Sequence, residues 1–338
     1  MRCLLLQFGV RAWSRPVLSI SRQVRLIPCR NMWDGWEKEQ YPPLVTAKWL
    51  HEYVDANKDN LGDSKVRILD GSWHLPFTGR KGLVEWRTDH IPGSFFFDLD
   101  DCADKSDPAA EHMMPSAEQF EEYVGKLGIN NDSHVVVYDN NYTFGMFSAP
   151  RVWFMFKVFG HDRVSILDGG LPAWMDKTNM LVTDDVPTIK PETFKANFRP
   201  EMVKSFEDVE TSIREKEDDP DKVFQLVDAR PAGRFNGTAP EPRIGIKPGH
   251  VLGAQNIPFS FLMNATTKRV KGTKESLEKI FEGVMLYKPV TVMCGSGVTA
   301  CNLAFALHLL KVKDVSLYDG SWMEWFQRAK HDMKVLKK

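Results

Sequence analysis

The residues best suited to chemistry in this sequence surround Cys294. An apolar β-type run from Pro289 to Met293 ends at this cysteine, and a turn with Gly295 and Gly297 leads into an amphipathic helix. Glycines let successive backbone N–H groups converge on one point, and the helix adds the positive end of its dipole. The pattern predicts a thiolate that can carry a negatively charged sulfur adduct. The alternative is a structural cysteine buried at a strand end.

Three kinds of chemistry could use such a thiolate, and the surrounding residues separate them. A cysteine phosphatase needs an arginine six residues after the nucleophile, where this chain has Ala300. A cysteine protease needs a histidine base, but His308 lies 14 residues further on, along the predicted helix. Transfer of sulfane sulfur needs only a thiolate, a clamp for the donor and a cradle for the persulfide. Sulfur transfer is therefore the favoured chemistry.

The loop CGSGVTAC resembles the active-site loop of the rhodanese family, in its branch that uses 3-mercaptopyruvate; the branch that uses thiosulfate carries CRKGVTA. Family-like segments recur from about Trp33 to Arg328. The resemblance implies an enzyme that moves sulfane sulfur from 3-mercaptopyruvate through a Cys294 persulfide, releasing pyruvate. Acceptors would be cyanide or thiols such as thioredoxin and small thiols. Neither a metal nor an organic cofactor is implied.

The resemblance also assigns a donor clamp. Arg234 in AGRF and Arg243 in APEPRIG match the arginines that hold the carboxylate and keto oxygens of mercaptopyruvate in the family. A planar guanidinium suits this task because it grips a carboxylate through two parallel hydrogen bonds. Without the resemblance, both would be read as solvated arginines in a Gly- and Pro-rich loop.

A proton relay is implied in the same way. Ser296, His112 and Asp100 match the serine, histidine and aspartate proposed to manage the donor's thiol proton in the family. The bland alternative is a solvated histidine and an acidic surface run. His112 and Asp100 lie in the half of the chain without the reactive cysteine, so the site is expected between two domains. The substrate and persulfide cradle would be completed by Gly295, Gly297, Val298 and Thr299.

The loop residues bear on the choice of donor. Gly295 and Ser296 are uncharged where thiosulfate-using relatives have Arg and Lys. Losing two positive charges weakens binding of a dianion more than binding of a monocarboxylate. Mercaptopyruvate is the expected donor, thiosulfate:cyanide transfer is the second hypothesis, and a non-catalytic persulfide-binding or redox-sensing module is the third.

The chain repeats itself at a spacing of roughly 155 residues, which indicates a duplicated domain. RILDGSW from Arg67 corresponds to FQLVDAR from Phe224, and Asp139 falls where Cys294 stands in the second copy. Short β-branched runs alternate with helical patterns, one of which opens on a capping-box spacing from Ser116 to Gln119.

This alternation predicts a parallel α/β architecture. The resemblance implies two tandem rhodanese-like domains, each a mainly parallel sheet flanked by helices. The first domain is predicted to span residues 33–183 and the catalytic domain residues 201–338. The segment between them, 184–200, contains three prolines and reads as an extended linker, with the boundary near Val186.

Residues 1–32 differ from the rest of the chain. They contain six arginines and several serines, and no acidic residue occurs before Asp34. This composition is typical of a mitochondrial transit segment and predicts a matrix location, with a cytoplasmic form also open because Met32 could start a shorter chain. The alternative is a basic tail on a cytosolic protein.

The overall composition is that of a globular enzyme: 338 residues, 43% hydrophobic and 26% charged, with a net charge of -1. The net charge gives no reason to expect a nucleic-acid partner. No apolar run approaches the roughly 18 to 20 residues of a membrane span, so no membrane partner is expected. The cysteines have neither a disulfide framework nor metal-ligand spacing; they are Cys3, Cys29, Cys102, Cys294 and Cys301.

Overall fold

The computed structural model describes residues 40–58, 61, 65–107, 110–178, 188–215 and 223–337. The predicted transit segment, residues 1–32, and the predicted domain boundary near Val186 lie outside these residues. The described residues build two five-stranded parallel sheets, each flanked by helices.

The first sheet has the strand order β1-β5-β4-β2-β3, and all its neighbouring strands are parallel. Its strands β1 to β5 are Leu44–Val45, Val66–Asp70, Ser94–Phe96, His134–Tyr138 and Val164–Leu167. Its helices α1 to α5 are Ala47–Ala56, Gly82–Thr88, Ala117–Lys126, Ala149–Val158 and Gly170–Thr178. The predicted capping box is present, since Ser116 and Gln119 exchange side-chain to backbone hydrogen bonds at the start of α3.

The second sheet has the order β6-β11-β10-β7-β9 and is again parallel throughout. The strands β6 to β12 are Val203–Lys204, Gln225–Asp228, His250–Val251, Gln255–Asn256, Val290–Met293, Val315–Tyr318 and Lys334–Val335. Strands β8 and β12 form a separate antiparallel pair. The helices α6 to α10 are Phe206–Glu215, Ala232–Phe235, Lys274–Ile280, Ala300–Leu309 and Ser321–Arg328.

The two sheets have the same strand order, position by position, so the predicted duplication and α/β fold are confirmed. β4 and β10 take equivalent places, and Asp139 and Cys294 directly follow them. All four residues of β10 are buried, as expected for a parallel strand covered on both faces. Both side chains therefore lie at the carboxyl ends of the strands, where open α/β sheets bind ligands.

The helices that follow these two strands pack against each other across the domain interface. The Trp153 ring of α4 meets the Phe305 ring of α9 edge-on, with centroids 5.0 Å apart. Nearby, the buried Asn302 side chain donates to the backbone oxygen of Phe147 at 2.9 Å. One apolar core runs continuously through this contact, so the two domains are joined at the helices that open from the cysteine and aspartate loops.

The described part of the predicted linker, residues 188–199, contains neither helix nor strand, and a short 3-10 helix opens at Pro200. This segment packs onto the first domain. Phe194 is 2% exposed and its ring lies 5.7 Å from that of Phe120. The backbone of Glu192 donates to the Gly125 oxygen at 2.9 Å. The segment thus seals the first domain's core.

Candidate active site

The loop Cys294–Thr299 joins β10 to α9. Its first two carbonyl groups are taken up by the start of α10: Trp322 N–H donates to Cys294 and Met323 N–H to Gly295, each at 3.0 Å. The N–H groups of the five residues after the cysteine donate to no oxygen of the described residues. A row of backbone donors beside a thiol is therefore available to an anion.

The two glycines of the loop are there for different structural reasons: one for its backbone conformation and one for a close approach of side chains. Gly297 has a φ of 79°, which is left-handed backbone that side chains disfavour. Gly295 is required by a close approach, because a Cβ there would lie 2.9 Å from an Arg234 guanidinium nitrogen and 3.5 Å from one of Arg243. Both predicted clamp arginines therefore lie against the cysteine loop.

Arg234, on the short helix α7, is held by a buried network of charges. Its Nε donates to Glu241 at 3.0 Å, and Glu241 is also bound by Arg230 at 2.8 Å. Arg230 in turn pairs with Asp228 at the end of β7 and lies 4.8 Å from the Trp322 ring. Because the Glu241 side chain is only 2% exposed and binds two arginines, it fixes the orientation of Arg234.

Arg243 reaches the loop from the other side. Its Nε donates to Glu111 of the first domain at 2.8 Å, and a terminal nitrogen donates to the Ser296 hydroxyl at 2.9 Å. The Arg243 side chain is 13% exposed. Arg243 thus contacts both the loop and the opposite domain.

The predicted relay residues lie in one hydrogen-bonded chain. Ser296 Oγ is 3.1 Å from His112 Nδ1, and His112 Nε2 is 3.0 Å from Asp100 Oδ1. Because Asp100 accepts from Nε2–H, Nδ1 is the acceptor of the Ser296 proton. Arg243 donates to the same hydroxyl, which leaves that proton directed at His112. The hydrogen bond to His112 lowers the pKa of Asp100 below its usual value.

His112 has a φ of 61°, which strains a residue other than glycine. A buried ion pair holds it there. Arg151, on α4, donates to the His112 carbonyl and pairs with Asp319 at 2.8 Å. Asp319, at the end of β11, also accepts the N–H of Met114 at 2.6 Å. The pair therefore ties the backbone that directly follows His112 to the second domain.

The other two cysteines in the described part of the chain are unsuited to catalysis. Burial raises the pKa of Cys301 to about 12 and raises that of Cys102 well above its usual range. Cys301 lies on α9, is fully buried and donates to the Gly297 oxygen at 3.3 Å. Both thiols stay protonated at neutral pH, which leaves Cys294 as the candidate nucleophile.

The first domain has an occupied version of the same cradle. Asp139 Oδ2 accepts the N–H groups of Phe147, Ser148 and Ala149, each at 2.8 Å, where α4 begins. Asp139 is 2% exposed. A fixed carboxylate thus binds the backbone donors at the position that Cys294 occupies in the second domain.

The structure brings the predicted site residues together around one crevice between the domains. The first part of the loop contains Cys294, Gly295, Ser296 and Gly297. Thr299 directly precedes α9. Val298 is 2% exposed and belongs to the buried core. The arginines and the relay surround this loop. Their catalytic roles stay predictions.

Sequence reasoning missed four supporting residues: Glu111, Arg151, Glu241 and Asp319. Asp319 carried a signal, because it corresponds to Asp168 in the repeated LDGG and YDGS segments. Glu241 lies in the same segment, APEPRIG, as Arg243, so a carboxylate close to the clamp arginines could have been predicted. Nothing in the sequence marked Arg151, which stands in a helical run of aromatic residues.

The described residues contain neither a candidate membrane span nor a candidate metal site. No helix among them has the length and apolar character needed to cross a bilayer. No group of three or more histidine, cysteine or acidic side chains among them could hold a metal ion.

A thiol in a backbone anion cradle, with arginines and a histidine relay at the seam of two α/β domains, defines an anion-handling cysteine site. A model of the rhodanese-like domain matches residues 54–177 and 209–328. Human 3-mercaptopyruvate sulfurtransferase is 42% identical over 85% of this chain and 93% of its own. Bovine thiosulfate sulfurtransferase is 45% identical over 86% and 93%.

Among solved structures, SseA from Escherichia coli, described as a 3-mercaptopyruvate sulfotransferase, is 38% identical. It has a TM-score of 0.70 and covers 83% of this chain and 98% of its own. The chain therefore belongs to the rhodanese family, as the resemblance of the loop predicted, and it is a sulfurtransferase.

Proposed function

We propose that this enzyme takes sulfane sulfur from 3-mercaptopyruvate onto Cys294 and passes it to a thiol or cyanide acceptor, releasing pyruvate. The proposal rests first on the comparison of the two cradles. In the first domain a carboxylate of Asp139 occupies the backbone donors. In the second domain the corresponding donors are available beside a thiol, so a persulfide anion on Cys294 takes the equivalent place.

Transfer of sulfur from the donor to Cys294 conserves both atoms and electrons. The Cys294 thiolate attacks the donor's thiol sulfur, an S–S bond forms, and the C–S bond of the donor breaks. The bonding electrons stay on carbon as the enolate of pyruvate, so the sulfur is oxidised and the carbon is reduced. The proton of the donor thiol passes to the enolate, which leaves pyruvate and a Cys294 persulfide anion.

The relay can manage that proton. Ser296 Oγ can accept it while passing its own proton to His112 Nδ1, 3.1 Å away. Asp100 then stabilises the imidazolium through Nε2 at 3.0 Å. Arg234 and Arg243 would bind the carboxylate and the keto oxygen, which becomes the enolate oxygen as the C–S bond breaks.

Donor preference follows from charge. Gly295 and Ser296 place no cation beside the sulfur, whereas thiosulfate-using relatives have two. If each of the two missing charges contributes on the order of 1 to 2 kcal/mol, thiosulfate loses roughly 30- to 900-fold relative to a specialist. Thiosulfate is the second candidate donor, because bovine thiosulfate sulfurtransferase is similarly close and two arginines still lie beside Gly295.

Initial rates with mercaptopyruvate and thiosulfate, measured side by side, test this proposal. We expect a higher kcat/KM with mercaptopyruvate. The Gly295→Arg/Ser296→Lys variant should shift preference toward thiosulfate, partly because a side chain at 295 displaces Arg234. Equal or better wild-type efficiency with thiosulfate favours the second candidate. The absence of turnover with either donor would favour the third hypothesis, a non-catalytic persulfide-binding or redox-sensing module.

The acceptor step calls for access to the outer sulfur only, since Cys294 is 3% exposed. We therefore include small thiols and a surface cysteine of a thioredoxin-like protein among the acceptors. Discharge of the isolated persulfide by cyanide, a small thiol or thioredoxin, followed by mass spectrometry, ranks them.

We also propose a mitochondrial matrix location, on the arginine-rich and acid-free composition of residues 1–32. A reporter fused after these residues should enter mitochondria. A cytosolic reporter would contradict this location and would favour a shorter form starting at Met32.

A further inference from the structure

The two clamp arginines are paired with carboxylates that differ widely in solvent exposure. The partner of Arg234 is Glu241, whose side chain is 2% exposed and is bound at its other oxygen by Arg230 at 2.8 Å. Exchanging Glu241 for a ligand would break two buried ion pairs, one with Arg234 and one with Arg230. Glu241 is therefore a permanent partner that orients Arg234.

The partner of Arg243 is Glu111, and it is held far less firmly. The Glu111 side chain is 42% exposed and comes from the opposite domain. Within the described residues, Arg243 is the only cation at ion-pair distance from it. An exposed pair of this kind contributes little net stability, so another carboxylate can replace it at low cost.

Glu111 occupies one edge of the Arg243 guanidinium. Its Oε2 accepts from both Nε and one terminal nitrogen, whereas the other terminal nitrogen lies 3.5 Å from the Cβ position of Gly295 and is not bound by Glu111. A donor carboxylate can bind the Nε edge bidentately only after Glu111 leaves. Glu111 thus competes with an incoming anion for this edge, and its charge opposes an anion beside the rest of the guanidinium.

We propose that Glu111 is a displaceable counter-ion that guards Arg243, and that the donor's carboxylate must replace it to bind productively. This rests on the proposed function only in taking the donor to be an anionic carboxylate. Glu111 thereby sets the KM for the donor and disfavours weakly binding anions. The neighbouring His112 stays in place during the exchange, because Arg151 and Ser296 hold it independently.

The test is the Glu111→Gln variant, which keeps the size of the side chain and removes its charge. Binding of pyruvate to the resting enzyme is measured by titration calorimetry, because pyruvate carries the carboxylate and keto groups but transfers no sulfur. We expect the Kd for pyruvate and the KM for mercaptopyruvate to fall about two- to fivefold, as loss of an exposed ion pair predicts. The kcat should not fall with them.

Two controls accompany this variant. Glu241→Gln removes the permanent partner, so it should weaken pyruvate binding instead of strengthening it. Glu282→Gln removes an equal charge at an exposed position and should leave the pyruvate Kd unchanged. Unaltered thermal unfolding of Glu111→Gln confirms that the comparison is made on folded protein.

A Glu111→Gln variant that binds pyruvate no better, or less tightly, than the wild type would overturn the proposal and make Glu111 an orienting residue like Glu241. This outcome is distinct from failure of the proposed function. If the wild type proves inactive with mercaptopyruvate, the pyruvate Kd of the variants still decides whether Glu111 competes with a carboxylate.

Discussion

Removing Arg151 should separate the stability of the domain interface from the positioning of His112. The Arg151 and Asp319 side chains are 1% and 4% exposed, so Arg151→Met leaves a buried carboxylate without its cation. Breaking a buried pair from one side costs about 3 to 5 kcal/mol. Because Asp319 still accepts the Met114 N–H, we expect the lower end, about 3 kcal/mol in the free energy of unfolding.

The double variant Arg151→Met/Asp319→Leu tells the two effects apart. Replacing both partners with apolar side chains restores much of the lost stability, because no buried charge is left uncompensated. The donor to the His112 carbonyl is still missing, and His112 is no longer held in its strained left-handed conformation. We expect turnover with mercaptopyruvate to remain about ten- to a hundredfold low, since a positioned acid–base group contributes about that much or more.

Urea unfolding followed by fluorescence measures the stability, and initial rates with both donors measure the function. Thiosulfate has no thiol proton for the relay to move, so its rate in the double variant should fall much less than that of mercaptopyruvate. A double variant that regains both its stability and its full mercaptopyruvate rate would refute a positioning role for Arg151 and Asp319.

Three further predictions concern single residues. Cys294→Ser should abolish turnover and the donor-dependent gain of one sulfur in mass, whereas Cys301→Ser should keep most activity; a persulfide mapped to Cys301 would contradict this. Burial raises the pKa of Asp70 to about 7, so the folded protein loses stability as pH rises from about 4 to 7. At pH 8 the free energy of unfolding of Asp70→Asn, measured with urea, should therefore exceed that of the wild type by on the order of 4 kcal/mol, with the difference vanishing near pH 4; a gap independent of pH would contradict it. Gly295→Ala should push Arg234 aside and raise the KM for mercaptopyruvate severalfold, with an unchanged KM counting against the clamp.

The features that could be predicted from the sequence are those that depend on residues close together in the chain. The loop at Cys294, the strands that precede it and the capping box at Ser116 depend on neighbouring residues, and all three appear as expected. The repeat also fixed the equivalence of Asp139 and Cys294, because it compares two segments of the same chain.

The features that escaped prediction depend on how the two domains face each other. Glu111 and Arg243 are 132 residues apart in sequence, and Arg151 and Asp319 are 168 apart. No periodicity links such pairs, and a charged residue in a loop or an arginine in an apolar helix has many possible partners. Asp100 was assigned only through the family resemblance, because its acidic neighbours give no sign of which carboxylate reaches His112.

The pseudo-symmetry of the interface explains why the candidate active site contains residues of both domains. Asp319 accepts the Met114 N–H from the first domain at 2.6 Å, and its counterpart Asp168 accepts the Val270 N–H from the second at 2.9 Å. In each domain, a backbone N–H of the loop thus donates to an aspartate that follows a strand of the opposite domain.

The residues at the two loop tips also correspond. His112 and Lys268 share nearly the same left-handed backbone, with φ of 61° and 58°. Lys268 lies against Gly145, in the loop that follows Asp139, and His112 lies against Ser296, in the loop that follows Cys294. The same arrangement therefore gives a cradle occupied by a carboxylate in one domain and a cradle beside a thiol in the other. A second domain alone would keep Cys294 and its two arginines but lose His112, Asp100 and Glu111, so the first domain forms part of the candidate active site.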